Sequence, residues 1–433
     1  MIYMVLLLVI IILFTKRQNR NLTNPLIVFS ILWTTIVALS QERCFDLYEA
    51  SDLSFLIILI GVVMFAVGTL LSRLSSSVNL KFWNHGSIAR QKFEINYVVL
   101  YITVGVCILY YLPQLIVSII SMLRGVSLND VRGVIQTAEQ STGITNLVSN
   151  YIILPFAIAA EPVGAFDFWL GKRDKRLFSL VFMLVLVRTF GDGGRTPLFN
   201  FVIYFAMAYL FKKFYVNGNS SFKTNNRKEK RTFRRYVILG ILGVACVTLM
   251  RAGGVLIRKA YFYFAMSPVL LTRWIEMVEE SGYHGNGLIS FNGIFYLFDY
   301  LRKNLFGLRY NKEIIEAYEL IASTDSTWLR ITSSGTTANA YVSCFWFFYA
   351  DARMLGVVVL SCLYGFIAGQ LYYRSIKYRN PIYIVLYLLV IQSIFFSFIR
   401  FPFGKAYYFL AMLIIRFLFF RHVKTKGDKC TII

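Results

Sequence analysis

The chain has 433 residues, of which 57% are hydrophobic and only 15% are charged, and its mean hydropathy is +0.61. This composition excludes a soluble globular protein, because such a domain would have to expose apolar surface to water, and it indicates that lipid is the solvent. The formal net charge of +23 does not call for a nucleic-acid partner, since basic residues in a membrane protein first serve to hold loops on the cytoplasmic side.

The apolar segments predict an all-α polytopic membrane protein with about 11 spans, within a range of about 10–12. A bilayer core needs about 20 apolar residues per helix, and fewer where flanking side chains reach the interface. The first segment has no preceding basic region and no small-residue cleavage site, so it is predicted to be a retained span. In chain order the predicted spans are 2–14, 24–40, 53–72, 97–120, 151–170, 177–190, 198–211, 236–250, 354–373, 381–399 and 406–420.

Lysine and arginine are concentrated in alternate loops. The loops of one side contain 27 of these residues, whereas the short loops of the other side contain 6. Because cytoplasmic loops carry the excess of basic residues, the amino terminus is predicted to lie outside and the carboxyl terminus inside. The inner loop 217–235 is polar and basic with almost no apolar content, and it is predicted to be a mobile linker.

This orientation leaves one large loop on the outer face. Its segments 253–266 and 288–310 mix aromatic and aliphatic residues with spaced arginine and lysine, a pattern typical of helices in the lipid headgroup layer. The apolar segment 338–349 is predicted to be re-entrant or interfacial, because a crossing there would move a basic loop outside. The predicted domains are a membrane domain, 1–250, the outer loop, 251–353, and a second membrane domain with its tail, 354–433.

Two arginines flank a glycine turn between two short predicted spans. Arg188 precedes the turn Gly191-Asp-Gly-Gly-Arg195, and Arg195 ends it. Glycines let a ligand approach the backbone amides, and a guanidinium can bind a phosphate through two parallel hydrogen bonds. The alternative is a turn whose arginines reach the phosphates of membrane lipids.

Three further residues are candidates for proton transfer. Glu161 lies within a predicted span beside a proline, where it is a base, a counter-ion to an outer arginine, or a protonated structural residue. His284 lies in a glycine-rich turn, as a general base or a solvated side chain. Asp351 lies where the outer loop returns to the membrane. The sequence contains no nucleotide-binding or metal-binding motif, so neither a cofactor nor a metal is expected.

One stretch carries the most specific similarity to known proteins. Asn339-Ala-Tyr341 is followed by Phe347-Phe-Tyr-Ala-Asp351-Ala-Arg-Met-Leu-Gly356. This resembles the oligosaccharide repeat-unit polymerases, which include the Wzy-type O-antigen polymerases, in their outer-loop Asn and Tyr before an Asp-Phe-Gly-x-x-Gly pattern. Here Ala352 and Arg353 replace the Phe and the first Gly of that pattern.

Two other stretches are similar to the same family. Gly193-Gly-Arg195 resembles the glycine-arginine turn between two mid-chain spans of these polymerases. Residues 123–132 resemble their outer loop after the fourth span, and Arg132 with Gly143 fits an Arg-x10-Gly spacing found in some members.

The resemblance implies a GT-C-like membrane fold in the bacterial inner membrane. It implies polymerisation, at the periplasmic face, of undecaprenyl-pyrophosphate-linked oligosaccharide units into O-antigen, without nucleotide, and with a chain-length regulator protein as a possible partner. The site then needs cations for the pyrophosphate and a base for the acceptor hydroxyl. Arg195 is the first candidate for binding the pyrophosphate, and the next candidates are Arg132, Arg251, Arg258 and Arg188. Asp351 or His284 is the candidate base for the acceptor hydroxyl.

Two other functions use similar substrates. A glycan ligase shares the lipid-linked donor and also has a large outer loop, so only the acceptor distinguishes it. A flippase for lipid-linked units is expected to have two similar halves, a charged central path and short outer loops. The absence of a sequence repeat and the long loop 251–353 argue against the flippase.

Overall fold

The computed structural model describes residues 23–77, 92–126, 147–191, 194–216, 227–252 and 256–423. It is 79% helical, with fourteen α-helices among these residues, as expected for an all-α membrane protein. The helices are α1 Pro25–Gln41, α2 Asp52–Ser77, α3 Tyr97–Leu123, α4 Leu154–Leu170, α5 Lys175–Gly191, α6 Thr196–Phe211, α7 Arg227–Ala252, α8 Leu256–Ala265, α9 Ser267–Ser281, α10 Asn292–Phe306, α11 Lys312–Ser326, α12 Ser343–Tyr378, α13 Pro381–Phe395 and α14 Ala406–Phe417. The strands are β1 Lys92–Ile95, β2 Leu329–Arg330, β3 Thr337–Ala338 and β4 Phe420–Val423.

Four helical segments in the described part of the chain are long and apolar enough to cross a membrane. Three further apolar helices, α1, α13 and α14, are shorter. Ten of the eleven predicted spans overlap a helix, and the remaining one, 2–14, lies outside the described residues. The four long segments are Asp52–Ser76, Tyr97–Leu123, Ser149–Leu170 and Ser343–Tyr378.

The chain forms two compact units, each assembled from separate stretches of sequence. The first contains the described residues within Met1–Leu74, Val255–Gln370 and Val390–Phe409. The second contains those within Ser75–Gly254, Leu371–Leu389 and Leu410–Ile433.

In the first unit, α2 and α12 pack backbone against backbone at two glycines. A Cβ atom on Gly68 would lie 1.9 Å from the carbonyl oxygen of Cys362, and one on Gly365 would lie 2.1 Å from that of Phe65. The hydroxyl of Thr69 donates to the Gly365 carbonyl oxygen at 3.2 Å. Small residues at such a crossing allow the close helix contact on which membrane proteins depend for packing energy.

The second unit has an aromatic core. The ring of Phe168 contacts those of Phe178 and Phe205, with centroid distances of 4.5 and 5.4 Å. Its two strands, β1 and β4, pair antiparallel, with Ile95 opposite Phe420. Helix α7 begins at Arg227, so the prediction of a mobile linker over 217–235 was wrong for its second half.

Helix formation at the start of α7 has a local cause. Arginine, lysine and glutamate favour a helix, and Glu229 in the first turn forms an ion pair of 2.8 Å with Lys212. Residues 217–226 of the predicted linker lie outside the described residues.

Helix α12 joins two segments that the sequence separates. It begins at Ser343, so the predicted re-entrant segment 338–349 and the predicted span 354–373 belong largely to one helix. The helix is interrupted at Ala352, with φ −153°, and at Arg353, with φ 52° and ψ −141°. Periodicity alone misses this arrangement because both halves are apolar.

Candidate functional site

Asp351, a predicted catalytic residue, is the last residue of α12 before its interruption, and its carboxylate is buried. Its Oδ1 accepts hydrogen bonds from the amides of Gly287 at 3.0 Å and Ile289 at 2.9 Å. Its Oδ2 accepts one from the amide of Ser290 at 2.9 Å. Hydrogen bonds of this kind contribute about 0.5–1.5 kcal/mol each, so Asp351 fixes the loop between α9 and α10.

The interruption after Asp351 has its own support. A non-glycine residue in a sparsely populated backbone region with positive φ costs about 1–3 kcal/mol, and Arg353 adopts such a conformation. Its Nε forms an ion pair of 2.8 Å with Glu279, to which the hydroxyl of Tyr349 also donates at 2.8 Å. Arg353 stands where the resembled pattern has glycine, the residue that adopts positive φ most easily.

His284 lies on the loop that Asp351 holds, and its side chain is exposed. Its Nδ1 lies 3.0 Å from the carbonyl oxygen of Gly282. A carbonyl oxygen can only accept, so Nδ1 carries the hydrogen and Nε2 of the neutral ring keeps its lone pair. The geometry therefore favours His284 over Asp351 as a base, because His284 is exposed whereas the Asp351 carboxyl group is buried and already accepts three backbone amides.

Arg258, a predicted pyrophosphate ligand in the same unit, forms hydrogen bonds to other residues of the chain. Its Nη2 donates to the hydroxyls of Ser334 at 3.1 Å and Thr336 at 3.0 Å. The guanidinium also lies 5.5 Å from the ring centroid of Phe262. These contacts tie α8 to the turn between β2 and β3.

The second unit contains the predicted residues Glu161 and Arg188, and they form an ion pair. Arg188 Nη1 lies 2.5 Å from Glu161 Oε1, and both side chains are buried. The Arg188 guanidinium lies 5.8 Å from the ring centroid of Tyr111. Glu161 is thus a counter-ion to an arginine, one of the alternatives that its sequence position allows, and the pair joins α4 to α5.

The remaining predicted arginines are placed only in part. Arg195 is the N-cap residue of α6 in the second unit and is half-buried. Arg251 lies in the last turn of α7, and its side chain is not among those described. Arg132 lies outside the described residues.

Sequence reasoning missed a cationic cluster in the first unit, formed by Asp325, Arg400 and Lys405. Both guanidinium ends of Arg400 contact the Asp325 carboxylate, with Nη1 2.9 Å from Oδ2. Lys405 Nζ lies 3.3 Å from the same oxygen. The side chains of Asp325, Arg400 and Lys405 are 41%, 15% and 37% exposed, so the cluster is open to solvent.

The Asp325 carboxylate is ionised throughout the physiological range. Partial burial raises its pKa, but the charges of Lys405 and Arg400 outweigh burial and bring the pKa down to about 2. With two cations and one anion, the cluster keeps one net positive charge. This net positive charge, from a guanidinium beside an ammonium group, attracts a phosphate.

Asn339, from the stretch that resembles the polymerases, holds the end of α11 next to this cluster. Its Nδ2 donates to the carbonyl oxygen of Asp325, and the amide of Ala340 donates to that of Thr324 at 2.9 Å. In the sequence, the indication of this cluster is the pair of basic residues in the six-residue loop Arg400-Phe-Pro-Phe-Gly-Lys405. From the sequence alone, these two residues count only as charges of an outer loop.

The cluster and the loop held by Asp351 are packed together. A Cβ atom on Gly293, at the start of α10, would lie 2.3 Å from the backbone carbon of Lys405. A Cβ atom on Gly404 would lie 2.7 Å from the Phe347 ring and 3.5 Å from the Ile289 carbonyl oxygen. The structure therefore brings Asp351, the His284 loop and the cationic cluster onto adjoining segments of one unit.

Comparison of the chain with protein-family models, with curated proteins and with solved structures found no match.

Proposed function

We propose that the chain polymerises undecaprenyl-pyrophosphate-linked oligosaccharide repeat units into a surface polysaccharide of the O-antigen type. The reaction takes place at the periplasmic face of the bacterial inner membrane. The chain crosses the membrane about 11 times, with an outer amino terminus and an inner carboxyl terminus, and the reaction uses no nucleotide.

One observation carries the proposal: the cationic cluster of Asp325, Arg400 and Lys405 adjoins the loop that Asp351 holds and that presents His284. A lipid diphosphate leaving group needs fixed cations, and an acceptor hydroxyl needs a base. Both groups occur on adjoining segments of the first unit, beside Asn339 of the resembled stretch.

The acceptor hydroxyl oxygen bonds to the anomeric carbon of the growing glycan, and the bond from that carbon to the diphosphate oxygen breaks. The electron pair leaves with the lipid diphosphate, whose charge Arg400 and Lys405 stabilise. The hydroxyl proton passes to Nε2 of His284. Asp351 positions the loop without touching the reacting atoms.

The exposed apolar face of α10 supports a position at the membrane surface. Phe295, Phe298 and Leu305 follow one another at helical spacing and are 41%, 61% and 71% exposed. A helix with such a face and with basic residues at its end is typical of the headgroup layer, where lipid-linked substrates present their diphosphates. Membrane lipid is thus a proposed partner, and a chain-length regulator protein is another.

The deciding experiment is the glycan profile of cells that lack the chain. Loss of a polymerase leaves one repeat unit on the surface lipid, whereas loss of a ligase or a flippase leaves none. An unchanged ladder of long glycans contradicts all three functions. Re-expression of the wild type should restore the ladder, and re-expression of Arg400→Ala at equal protein level should not.

A further inference from the structure

Three tyrosine rings lie nearly parallel between α10 and α11, and together they are called the tyrosine stack: Tyr296, Tyr310 and Tyr318. The centroid of Tyr296 lies 4.6 Å from that of Tyr318, with 19° between the planes. It lies 6.2 Å from that of Tyr310, with 12° between the planes. Tyr296 is therefore the central ring.

Hydrogen bonds fix the segments that carry the stack. Buried Asp299 accepts hydrogen bonds from Arg302 Nε at 2.9 Å and from the Asn311 amide at 2.8 Å, which fixes the turn that carries Tyr310. Asn311 caps α11 by accepting from the Glu313 amide at 2.9 Å. Asn292 Nδ2 donates to the Ile314 carbonyl oxygen at 3.3 Å and joins the two helices.

The two outer rings differ in what covers them. Lys303 Nζ lies 4.0 Å from the ring centroid of Tyr310, which is a cation–π contact. Tyr318 contacts Tyr296 but is still 46% exposed. An aromatic ring that is held in place and still partly exposed costs little ordering entropy when a ligand packs against it.

We propose that Tyr318 is a sugar-binding platform, on which one ring of the oligosaccharide substrate stacks. This inference rests on the proposed function, since it names a contact to the glycan of the same substrate. The C–H bonds on one face of a sugar ring carry partial positive charge, and they are attracted to the electron-rich face of an aromatic ring. The tyrosine stack preorganises Tyr318 for this contact, and Tyr318 lies on α11 before Asp325 of the cationic cluster, at a rise of about 10 Å along the helix.

The test measures binding of a soluble glycan to the full-length protein in detergent. The probe is the set of oligosaccharides released by partial acid hydrolysis of the surface polysaccharide of wild-type cells, and the readout is calorimetric titration. Tyr318→Ala should lower the affinity about tenfold, which corresponds to about 1.4 kcal/mol. Tyr318→Trp should retain it, because stacking needs an aromatic ring rather than the hydroxyl.

A matched control is Tyr378→Ala, which removes another exposed tyrosine that has a neighbouring lysine, Lys377. It should leave the affinity unchanged. Equal affinity of wild type and Tyr318→Ala, or equal losses in Tyr318→Ala and Tyr378→Ala, would overturn the inference. The proposed function fails by a different result, an unchanged glycan ladder in cells that lack the chain, and the binding measurement can still be made in that case.

Discussion

The carboxylate Oδ1 of Asp351 lies 3.0 Å from the amide nitrogen of Gly287, so the acid at the end of the first half of α12 is bound to the backbone of the loop before α10. Its second oxygen is bound to the same loop, at Ser290. An acid that accepts three amide hydrogens serves best as an anchor. In the proposed function, proton transfer is assigned to the neighbouring exposed residue, His284.

Replacement of Asp351 should free the loop. In Asp351→Asn, one acceptor oxygen becomes an NH2 donor that faces an amide hydrogen, so at least one buried amide loses its partner, at a cost of about 1–3 kcal/mol. Hydrogen exchange of the amides of residues 287–290 should become faster, and long glycan should decrease. Unchanged exchange at these amides would show that Asp351 is not the anchor.

Replacement of His284 should act on the reaction and not on folding. A general base contributes about 10²–10⁴-fold to a rate, so His284→Ala should lower polymer synthesis by at least about 100-fold. Because the side chain is exposed, the melting temperature in detergent should stay within about one degree of wild type. His422→Ala, which removes an exposed histidine in β4, is the control and should keep full activity. Full activity of His284→Ala would remove it from the mechanism.

The helices were predictable from sequence, and their interruptions were not. Apolar segments of about 20 residues mark helices wherever lipid is the solvent, which explains why ten predicted spans overlap helices. The break at Arg353 depends on tertiary contacts with Glu279 and on the loop that Asp351 binds, and no local propensity signals it. The same limit applies to Ser343, where α12 begins earlier than hydropathy indicates.

The sequence predicts individual residues of the candidate site but not the residues that they contact. Asp351, His284 and Glu161 stand out in the sequence because acids and histidines near apolar segments are expensive. The contacts of such residues cannot be predicted in the same way, because the partners are distant in the sequence. Glu161 and Arg188 are 27 positions apart, and Asp325 and Arg400 are 75 positions apart. Arg400 in particular was hidden among ordinary outer-loop charges, because its two-ended contact with the Asp325 carboxylate forms only in the folded chain.

Replacement of Arg400 by lysine or by alanine should separate the effect of its charge from that of its forked guanidinium. Arg400→Lys retains the charge but loses the forked geometry, so polymer synthesis should fall about 10- to 100-fold, and Arg400→Ala should abolish long glycan. Arg195→Ala should also abolish long glycan while leaving the protein in the membrane. Arg273→Ala, which breaks an exposed pair with Glu276, is the control for loss of charge. Full-length polymer from Arg195→Ala or from Arg400→Ala would exclude that arginine from the reaction.

The ion pairs of Asp325 should stabilise the fold, and this stabilisation should decrease at acid pH. The pKa of Asp325 is about 2 in the folded chain and about 3.9 in an unfolded one, so the folded state favours the ionised form. The contribution is complete above about pH 4 and is lost as the pH falls toward 2. The melting-temperature difference between wild type and Asp325→Asn should therefore be constant from pH 5 to 8 and should shrink from pH 4 to 3. A difference that persists undiminished at pH 3 would contradict the lowered pKa.

The crossing of α2 and α12 can be tested with a matched pair of glycines. A Cβ atom on Gly68 would lie 1.9 Å from a backbone oxygen, which cannot rotate away, so Gly68→Ala should force the helices apart at a cost of about 1–3 kcal/mol or more. Gly105 lies within α3, and a Cβ atom there would meet nothing within 4 Å. Because alanine is favoured over glycine in a helix by about 1 kcal/mol, Gly105→Ala should leave the melting temperature unchanged or raise it. Thermal unfolding in detergent should therefore move the two variants in opposite directions, and equal tolerance of both substitutions would show that α2 and α12 do not pack this closely.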